Sequence, residues 1–198
     1  LLELDGVPLI VRQLAALSDA GVDEVVVVLG HHAQAIEAAI LHRPATRVFN
    51  PAPEEGQAAS VRIGLQALSP RIDAVMVALA DQPLITAQDI AALINAYRQR
   101  GGKSMVVPRV CATDGSKAPG NPVMFDAALR AQWLAGGTEL TGRQWREQNP
   151  ERVHWFETDN RHYRVDIDTP EDLRQFAIST GHVLRWPPAF ANTTDDLA

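Results

Sequence analysis

The chain has 198 residues, of which 46% are hydrophobic and 21% are charged, and its formal net charge is −6. This composition is typical of a globular protein, and a chain of this length can form a core without disulfides. It has no basic block of the kind that grips nucleic acid, and no apolar run reaches the roughly 18 residues that span a bilayer. The single cysteine, Cys111, fits a reducing cytosol. We therefore expect a cytoplasmic protein with no nucleic-acid or membrane partner.

The first half of the chain alternates apolar strands with amphipathic helices. Residues 4–8 predict a turn, and a helix follows from Leu9. Residues 25–29 and 74–80 are unbroken apolar runs, which are typical of strands buried on both faces of a parallel sheet. We therefore predict an α/β fold with a mostly parallel central sheet, helices on both faces and these two strands in the sheet interior.

The pattern changes after residue 108. Short strands are predicted at residues 121–125, 153–157 and 163–167, and a final helix begins after Thr169, a natural N-cap that precedes Pro170. We predict a single domain over residues 1–180. The remaining residues, 181–198, are rich in proline and polar side chains and are predicted to be a loose tail.

Asp81 follows the second apolar strand, in the sequence Ala80-Asp81-Gln82-Pro83. Ligands of open α/β sheets bind beyond the carboxyl ends of the strands, and a carboxylate at that place can hold Mg²⁺. The alternative is that Asp81 only accepts hydrogen bonds from turn amides or caps the next helix. Its position alone leaves both interpretations open.

Asp166 and Asp168 lie two residues apart in a predicted strand, so they share with Arg164 the face opposite Val165 and Ile167. Adjacent carboxylates repel one another unless a cation lies between them, which makes the pair a candidate metal site. In the alternative, Asp168 bonds to the start of the next helix and Asp166 pairs with Arg164. Spacing alone does not decide between the two.

Gly56 and Ser60 lie where a loop leads into a helix. Free backbone amides at a helix start, together with the Ser60 hydroxyl, can receive an anion or a nucleotide base. A glycine before a helix is common, so this motif indicates a nucleotide site only in combination with others.

Five stretches of the chain, in this order, resemble the MobA-like NTP transferase family, and most closely its molybdenum cofactor cytidylyltransferases. They run over residues 1–177 as Leu2-Glu3-Leu4-Asp5-Gly6-Val7-Pro8-Leu9, Asn50-Pro51 with Gly56 and residues 60–65, Ala80-Asp81-Gln82-Pro83, Gly120-Asn121-Pro122-Val123, and Asp166-Ile167-Asp168-Thr169-Pro170-Glu171-Asp172-Leu173. The ordered set is more specific than any one of its members.

The resemblance implies a Rossmann-like nucleotidyltransferase fold and transfer of a nucleotide from CTP or GTP to molybdopterin cofactor, with release of pyrophosphate. It implies Mg²⁺ held by Asp81 and Asp168, with Asp166 as a further ligand, and Gly56, Ser60 and Asp81 near the nucleotide. By the same resemblance, Gly120-Asn121-Pro122 borders the acceptor. A molybdoenzyme or its chaperone is implied as a protein partner.

The family opens with a strand and a Gly-rich loop, ending in Arg and Lys, that cradles the triphosphate. The present sequence begins just after the point where that loop ends, so we expect the strand and the loop to be missing from residues 1–198. A sheet without that strand should show a gap beside its two apolar strands.

The sequence leaves three functions open. The first is a Mg²⁺-dependent cytidylyltransferase that acts on molybdopterin cofactor. The second is a sister transferase with a sugar phosphate or alditol phosphate as acceptor. The third is a non-catalytic accessory protein that binds the cofactor, which the loss of the phosphate loop would favour.

Overall fold

A computed structural model describes residues 1–136 and 141–187 of the chain. Its helices are α1 (Leu9–Asp19), α2 (Ala33–Ala39), α3 (Gln57–Ala67), α4 (Ala87–Arg98), α5 (Ala127–Ala135), α6 (Gly142–Gln148) and α7 (Pro170–Thr180). Its strands are β1 (Glu3–Leu4), β2 (Val7–Pro8), β3 (Val26–Leu29), β4 (Thr46–Phe49), β5 (Ala74–Val77), β6 (Met105–Cys111), β7 (Lys117–Pro119), β8 (Val123–Asp126), β9 (Val153–Thr158) and β10 (Leu184–Arg185). None of these helices is long and apolar enough to cross a membrane.

The strands form three sheets within the described ranges. The largest has the order β5-β8-β6, with β7 also antiparallel to β6, and β9 pairs in parallel with β6. Strands β3 and β4 form a parallel pair, and β1 pairs antiparallel with both β2 and β10. The predicted α/β fold is confirmed. The largest sheet is not mostly parallel as predicted, because all its strand pairs are antiparallel except that of β6 with β9.

The two apolar strands lie at sheet edges, so the prediction that they lie in the sheet interior was wrong. Within the described residues β3 pairs only with β4, and β5 pairs only with β8. Residues of β3 and β5 line one groove of about 1230 Å³. The prediction failed because an apolar run reports that the faces of a strand are covered, and carries no information about whether both edges are paired.

Strand β5 is also shorter than predicted. It ends at Val77, because its partner β8 begins at Val123, the residue that pairs with Val77. The next three residues leave the ladder and lead directly to Asp81. Because β5 ends at Val77, Asp81 lies beyond the carboxyl end of this strand.

The segment that carries Asp166 and Asp168 is not a strand, which corrects the prediction for residues 163–167. A 3₁₀ turn occupies Arg161–Arg164, and the chain then runs outside any helix or strand to α7. Tyr163 and Ile167 are nevertheless buried, whereas both aspartates are exposed. The predicted alternation is confirmed, but the segment makes single hydrogen bonds to neighbouring loops and no ladder.

Two apolar clusters hold this segment. Tyr163, which is 1% exposed, packs with Ile90 and Val110, among others. Ile167 packs in a second cluster that includes Phe176 of α7. The segment is therefore fixed by burial on the side opposite its carboxylates.

Part of the predicted loose tail is structured. Leu184 is buried and packs with Leu4 and Phe176, and β10 pairs with β1. Residues 181–187 therefore belong to the fold, because Leu184 supplies an apolar contact that the polar composition of the tail conceals. The remainder of the predicted tail, residues 188–198, lies outside the described residues.

Arg130 closes the carboxyl end of α3. It is 9% exposed and donates hydrogen bonds of 2.6–3.0 Å to the carbonyls of Leu65, Leu68 and Ser69. We expect Arg130→Met to lower the free energy of unfolding by about 2–3 kcal/mol, because buried carbonyls lose charged donors. Urea unfolding followed by tryptophan fluorescence measures this change.

Arg62 provides the matched control for this prediction. It donates at 3.2 Å to the carbonyls of Trp133 and Leu134 from a half-buried position. Arg62→Met should cost about 1 kcal/mol, the usual net value of a hydrogen bond that water can partly replace. An equal loss in both variants would contradict the assignment of Arg130 as a buried helix cap.

Candidate functional site

A backbone hydrogen bond joins the two segments that carry the predicted metal ligands. The amide of Ile167 donates to the carbonyl of Asp81 at 3.1 Å. Because Ile167 lies between Asp166 and Asp168 in the chain, this bond brings both carboxylates to the vicinity of Asp81. The structure therefore brings close together the three aspartates that the family resemblance implies as one metal site.

The electrostatics of Asp81 show that the carboxylates interact. Burial raises the pKa of Asp81, the negative charge of Asp168 raises it further, and Asp166 adds a smaller contribution in the same direction. Its Oδ1 atom is buried and has no hydrogen-bond partner among the described residues. An acidic oxygen in this state is suited to a cation, which would supply the missing partner and relieve the repulsion.

The helix caps and the ion pair that the sequence left open as alternatives do not use these carboxylates. Helix α4 is capped by Thr86 and Asp89, and helix α7 by Thr169 and Asp172. Neither cap uses the side chain of Asp81 or Asp168. Within the described ranges, Arg164 forms no salt bridge with Asp166 and donates instead to the carbonyl of Pro119 at 3.4 Å. The carboxylates are therefore available for a ligand.

The donor set fits Mg²⁺ as a partial site. Carboxylate oxygens are the ligands that Mg²⁺ prefers, and the ion usually takes only one or two of them and keeps several waters. Across residues 1–136 and 141–187, no group of three or more His, Cys, Asp and Glu side chains forms a preassembled metal cluster. The arrangement thus suits an ion held by two carboxylates together with water and substrate phosphate.

Ser60 and Asp81 line the same groove, the one between β3 and β5. The hydroxyl oxygen of Ser60 accepts a hydrogen bond of 2.9 Å from Asn50, which is 1% exposed. Its position is thereby fixed, and its hydroxyl hydrogen can still be donated. Gly56 lies just outside this lining, at the N-cap of α3, and its φ of +92° lies in the region that favours glycine.

Gly120, Asn121 and Pro122 lie between β7 and β8, and they reach the site through Tyr163. The amide of Asn121 donates to the Tyr163 carbonyl at 2.8 Å. Gly120 packs so closely on the same carbonyl that a Cβ atom would clash with it. This stretch does not line the groove that contains Ser60 and Asp81. The predicted acceptor residues therefore contact the acidic segment and not the predicted nucleotide residues.

Two buried glutamines beside the site were not predicted from the sequence. Gln13 of α1 donates to the Gln82 carbonyl at 2.9 Å, and Gln82 donates to the Tyr163 carbonyl at 3.4 Å. They are 4% and 3% exposed, and the Oε1 atom of each lacks a partner among the described residues. Gln13 was detectable in principle, because it lies four residues from both Leu9 and Leu17 and thus on the buried stripe of its helix.

The raised pKa of Asp81 predicts how the metal-free protein responds to pH. Asp81→Asn should increase the free energy of unfolding at pH 7, because it removes a partly buried charge, repelled by Asp168, that disfavours the folded state. Since the folded-state pKa lies above the unfolded one, the wild-type protein regains this stability as the pH falls through the raised value. The difference in the free energy of unfolding between Asp81→Asn and the wild-type protein should vanish below the ordinary carboxyl pKa. Thermal unfolding at several pH values measures it, and a variant less stable than wild type at pH 7 would identify Asp81 as structural.

Comparison with known proteins places the chain among nucleotide-transferring folds. The sequence profile of the MobA-like NTP transferase domain matches residues 1–153. Among curated proteins, the bifunctional protein GlmU of Heliobacterium modesticaldum is 30% identical over 127 residues, which are 63% of this chain and 26% of that relative. The chain thus spans about a quarter of the length of the curated relatives it matches.

Solved structures share the fold at low sequence identity. The 4-diphosphocytidyl-2C-methyl-D-erythritol synthase of Anaerococcus prevotii superposes with a TM-score of 0.73 at 18% identity, covering 90% of this chain and 88% of that one. Rv0371c of Mycobacterium tuberculosis, in complex with manganese, superposes with a TM-score of 0.68 at 22% identity, covering 87% and 86%. The predicted Rossmann-like nucleotidyltransferase fold is confirmed.

Proposed function

Because the chain belongs to the MobA-like NTP transferase family, we propose that it transfers a nucleotide from CTP or GTP to a phosphorylated acceptor and releases pyrophosphate. The acceptor in this proposal is molybdopterin cofactor, and a molybdoenzyme or its chaperone receives the product. The observation that carries the proposal is the convergence of Asp81 with Asp166 and Asp168 beside the groove that Ser60 lines.

The residues of this site suit phosphoryl chemistry. In the proposed reaction a terminal phosphate oxygen of the acceptor attacks the α-phosphorus of the NTP, a new P–O bond forms, and the bond to pyrophosphate breaks. Such a transfer needs positioning and neutralisation of charge more than covalent help from the protein. Mg²⁺, when bound, supplies that neutralisation. Asp81 and Asp168 would hold it, and Asp166, which is exposed like Asp168, is the alternative to Asp168 as the second ligand.

Ser60 and Gly56 contribute to nucleotide binding in this proposal. The oriented Ser60 hydroxyl can donate a hydrogen bond into the groove, and the amides at the start of α3 can receive an anion. The profile match ends at residue 153, so the assignment of Asp166 and Asp168 rests on their geometry and charge. The complex of Rv0371c with manganese supports a divalent cation on this fold.

A second acceptor class has a specific observation in its favour. The structural relative from Anaerococcus prevotii is named for a diphosphocytidyl methylerythritol, an alditol derivative. The same fold thus carries a cytidyl group to an acceptor other than a pterin. An alditol phosphate or sugar phosphate is therefore the alternative acceptor, and assays with each acceptor class decide between them.

Substitution of the acidic residues tests the reaction. Asp81→Asn and Asp168→Asn should each abolish the release of pyrophosphate when the protein is incubated with Mg²⁺, CTP or GTP, and molybdopterin cofactor. The reason is that the neutralisation of charge is lost. Neither variant should be less stable than wild type. The matched control is Asp126→Ala, which removes the N-cap of α5 and should cost about 1 kcal/mol of stability while activity remains. Wild-type rates in either active-site variant would remove these carboxylates from the reaction.

The nucleotide loop is tested by binding. Ser60→Ala should weaken NTP binding by about 1 kcal/mol, the value of one neutral hydrogen bond. Gly56→Val should weaken it more, because the left-handed backbone at this position disfavours a side chain and a bulky one blocks close approach. Calorimetry on folded protein measures both, with Ser179→Ala, at an exposed position of α7, as the control. Unchanged affinity in both variants would exclude this loop from the site.

A further inference from the structure

A buried carboxylate at the start of α4 binds the chain that leads to Asp166. Asp89 is 6% exposed, and its carboxylate accepts hydrogen bonds from the amide and the hydroxyl of Thr86, both at 2.8 Å. It also contacts Nδ1 of His162 at 2.9 Å and accepts from Asn160 at 2.5 Å. Four polar groups thus converge on one side chain, and two of them come from a distant segment.

A helix cap requires fewer hydrogen bonds than the carboxylate of Asp89 makes. Helix α6 has the same kind of capping box, in which Gln144, at an exposed site, bonds to Thr141, its own N-cap, and to no distant segment among the described residues. At Asp89, burial acts to raise the pKa of the carboxyl group, but the hydrogen bonds from His162 and Thr86 outweigh it and lower the pKa. Asp89 therefore stays ionised while buried, and the contacts from the distant segment help to make that possible.

The segment held by Asp89 is the one that ends at the acidic site. The Tyr163 hydroxyl donates to the Asp89 backbone carbonyl at 2.7 Å. The Tyr163 carbonyl accepts from Asn121, and Ile167 then donates to the Asp81 carbonyl. Residues 160–167 are thus fixed at one end by Asp89 and at the other by Asp81. No helix or strand stiffens this segment between Val165 and Thr169.

We infer that Asp89 is a positioning residue, which anchors residues 160–168 through Asn160 and His162 and so holds Asp166 and Asp168 beside Asp81. The anchoring follows from the hydrogen bonds alone, whereas its consequence for metal and nucleotide binding rests on the proposed function. Asp89 itself lies in α4 and is assigned no contact with substrate.

Hydrogen exchange tests the anchor without any assay of activity. In Asp89→Asn, an amide group faces the Asn160 amide and the charge that held His162 is lost. We expect the Ile167 amide to exchange at least about tenfold faster relative to Val106, a core residue of β6, because local opening exposes it. The control Thr141→Ala loses a cap of the same kind on α6 and should leave this ratio unchanged.

His162 supplies a second pair of variants. His162→Ala should accelerate Ile167 exchange, whereas His162→Asn, whose amide can occupy the place of Nδ1, should restore protection. An unchanged ratio of Ile167 to Val106 exchange in both Asp89→Asn and His162→Ala would overturn the inference. Equal acceleration at Ile167 and Val106 would also overturn it, because Asp89 would then stabilise only the whole fold.

Activity provides the second arm. A displaced Asp168 should raise the Mg²⁺ concentration needed for half-maximal pyrophosphate release in Asp89→Asn by about tenfold, and excess Mg²⁺ should restore the rate. Excess Mg²⁺ should not rescue Asp81→Asn. A loss of rate in Asp89→Asn that Mg²⁺ does not relieve would contradict the positioning role. If the wild-type protein releases no pyrophosphate, the proposed function fails, and the exchange data still decide the anchor.

Discussion

The hydrogen bond from the Ile167 amide to the Asp81 carbonyl is the contact on which the candidate site depends. It joins two segments that are far apart in the chain, neither of which belongs to a helix or a strand at that point. Burial of Tyr163 and Ile167 in separate apolar clusters holds one partner in place. The end of β5 at Val77 positions the other. Packing thus brings the three carboxylates close together, and the charges of Asp168 and Asp166 contribute to the raised pKa of Asp81.

The sequence was sufficient to predict which residues of the acidic segment face outward. A two-residue alternation needs only an extended chain against an apolar surface, so the aspartates are exposed although the predicted strand does not form. The partners of Asp89 could not be predicted in this way. Asn160 and His162 lie more than 70 residues from it, and spacing within one element carries no information about such pairs. Only the local capping box of Thr86 and Asp89 is visible in the sequence.

The same limit explains the sheet. Apolar runs identified β3 and β5, but strand order depends on backbone pairing, which side-chain composition does not encode. The two strand edges face a shared groove, and this places Ser60 and Asp81 along one surface. Buried polar atoms of Gln13 and Asp81, which have no hydrogen-bond partner in the described part of the chain, lie along that lining and set it apart from an ordinary apolar cleft. The strand edges that determine the packing of the sheets therefore also form the groove that contains the candidate site.

In the proposed function, Asp81 and Asp168 share one divalent cation. Anomalous diffraction from crystals grown with Mn²⁺ and CTP measures this directly. We expect one peak within about 2.5 Å of a carboxylate oxygen of each residue, the outer range for hard cations on oxygen ligands. Carboxylates more than about 10 Å apart, or a peak that touches neither of them, would contradict the account.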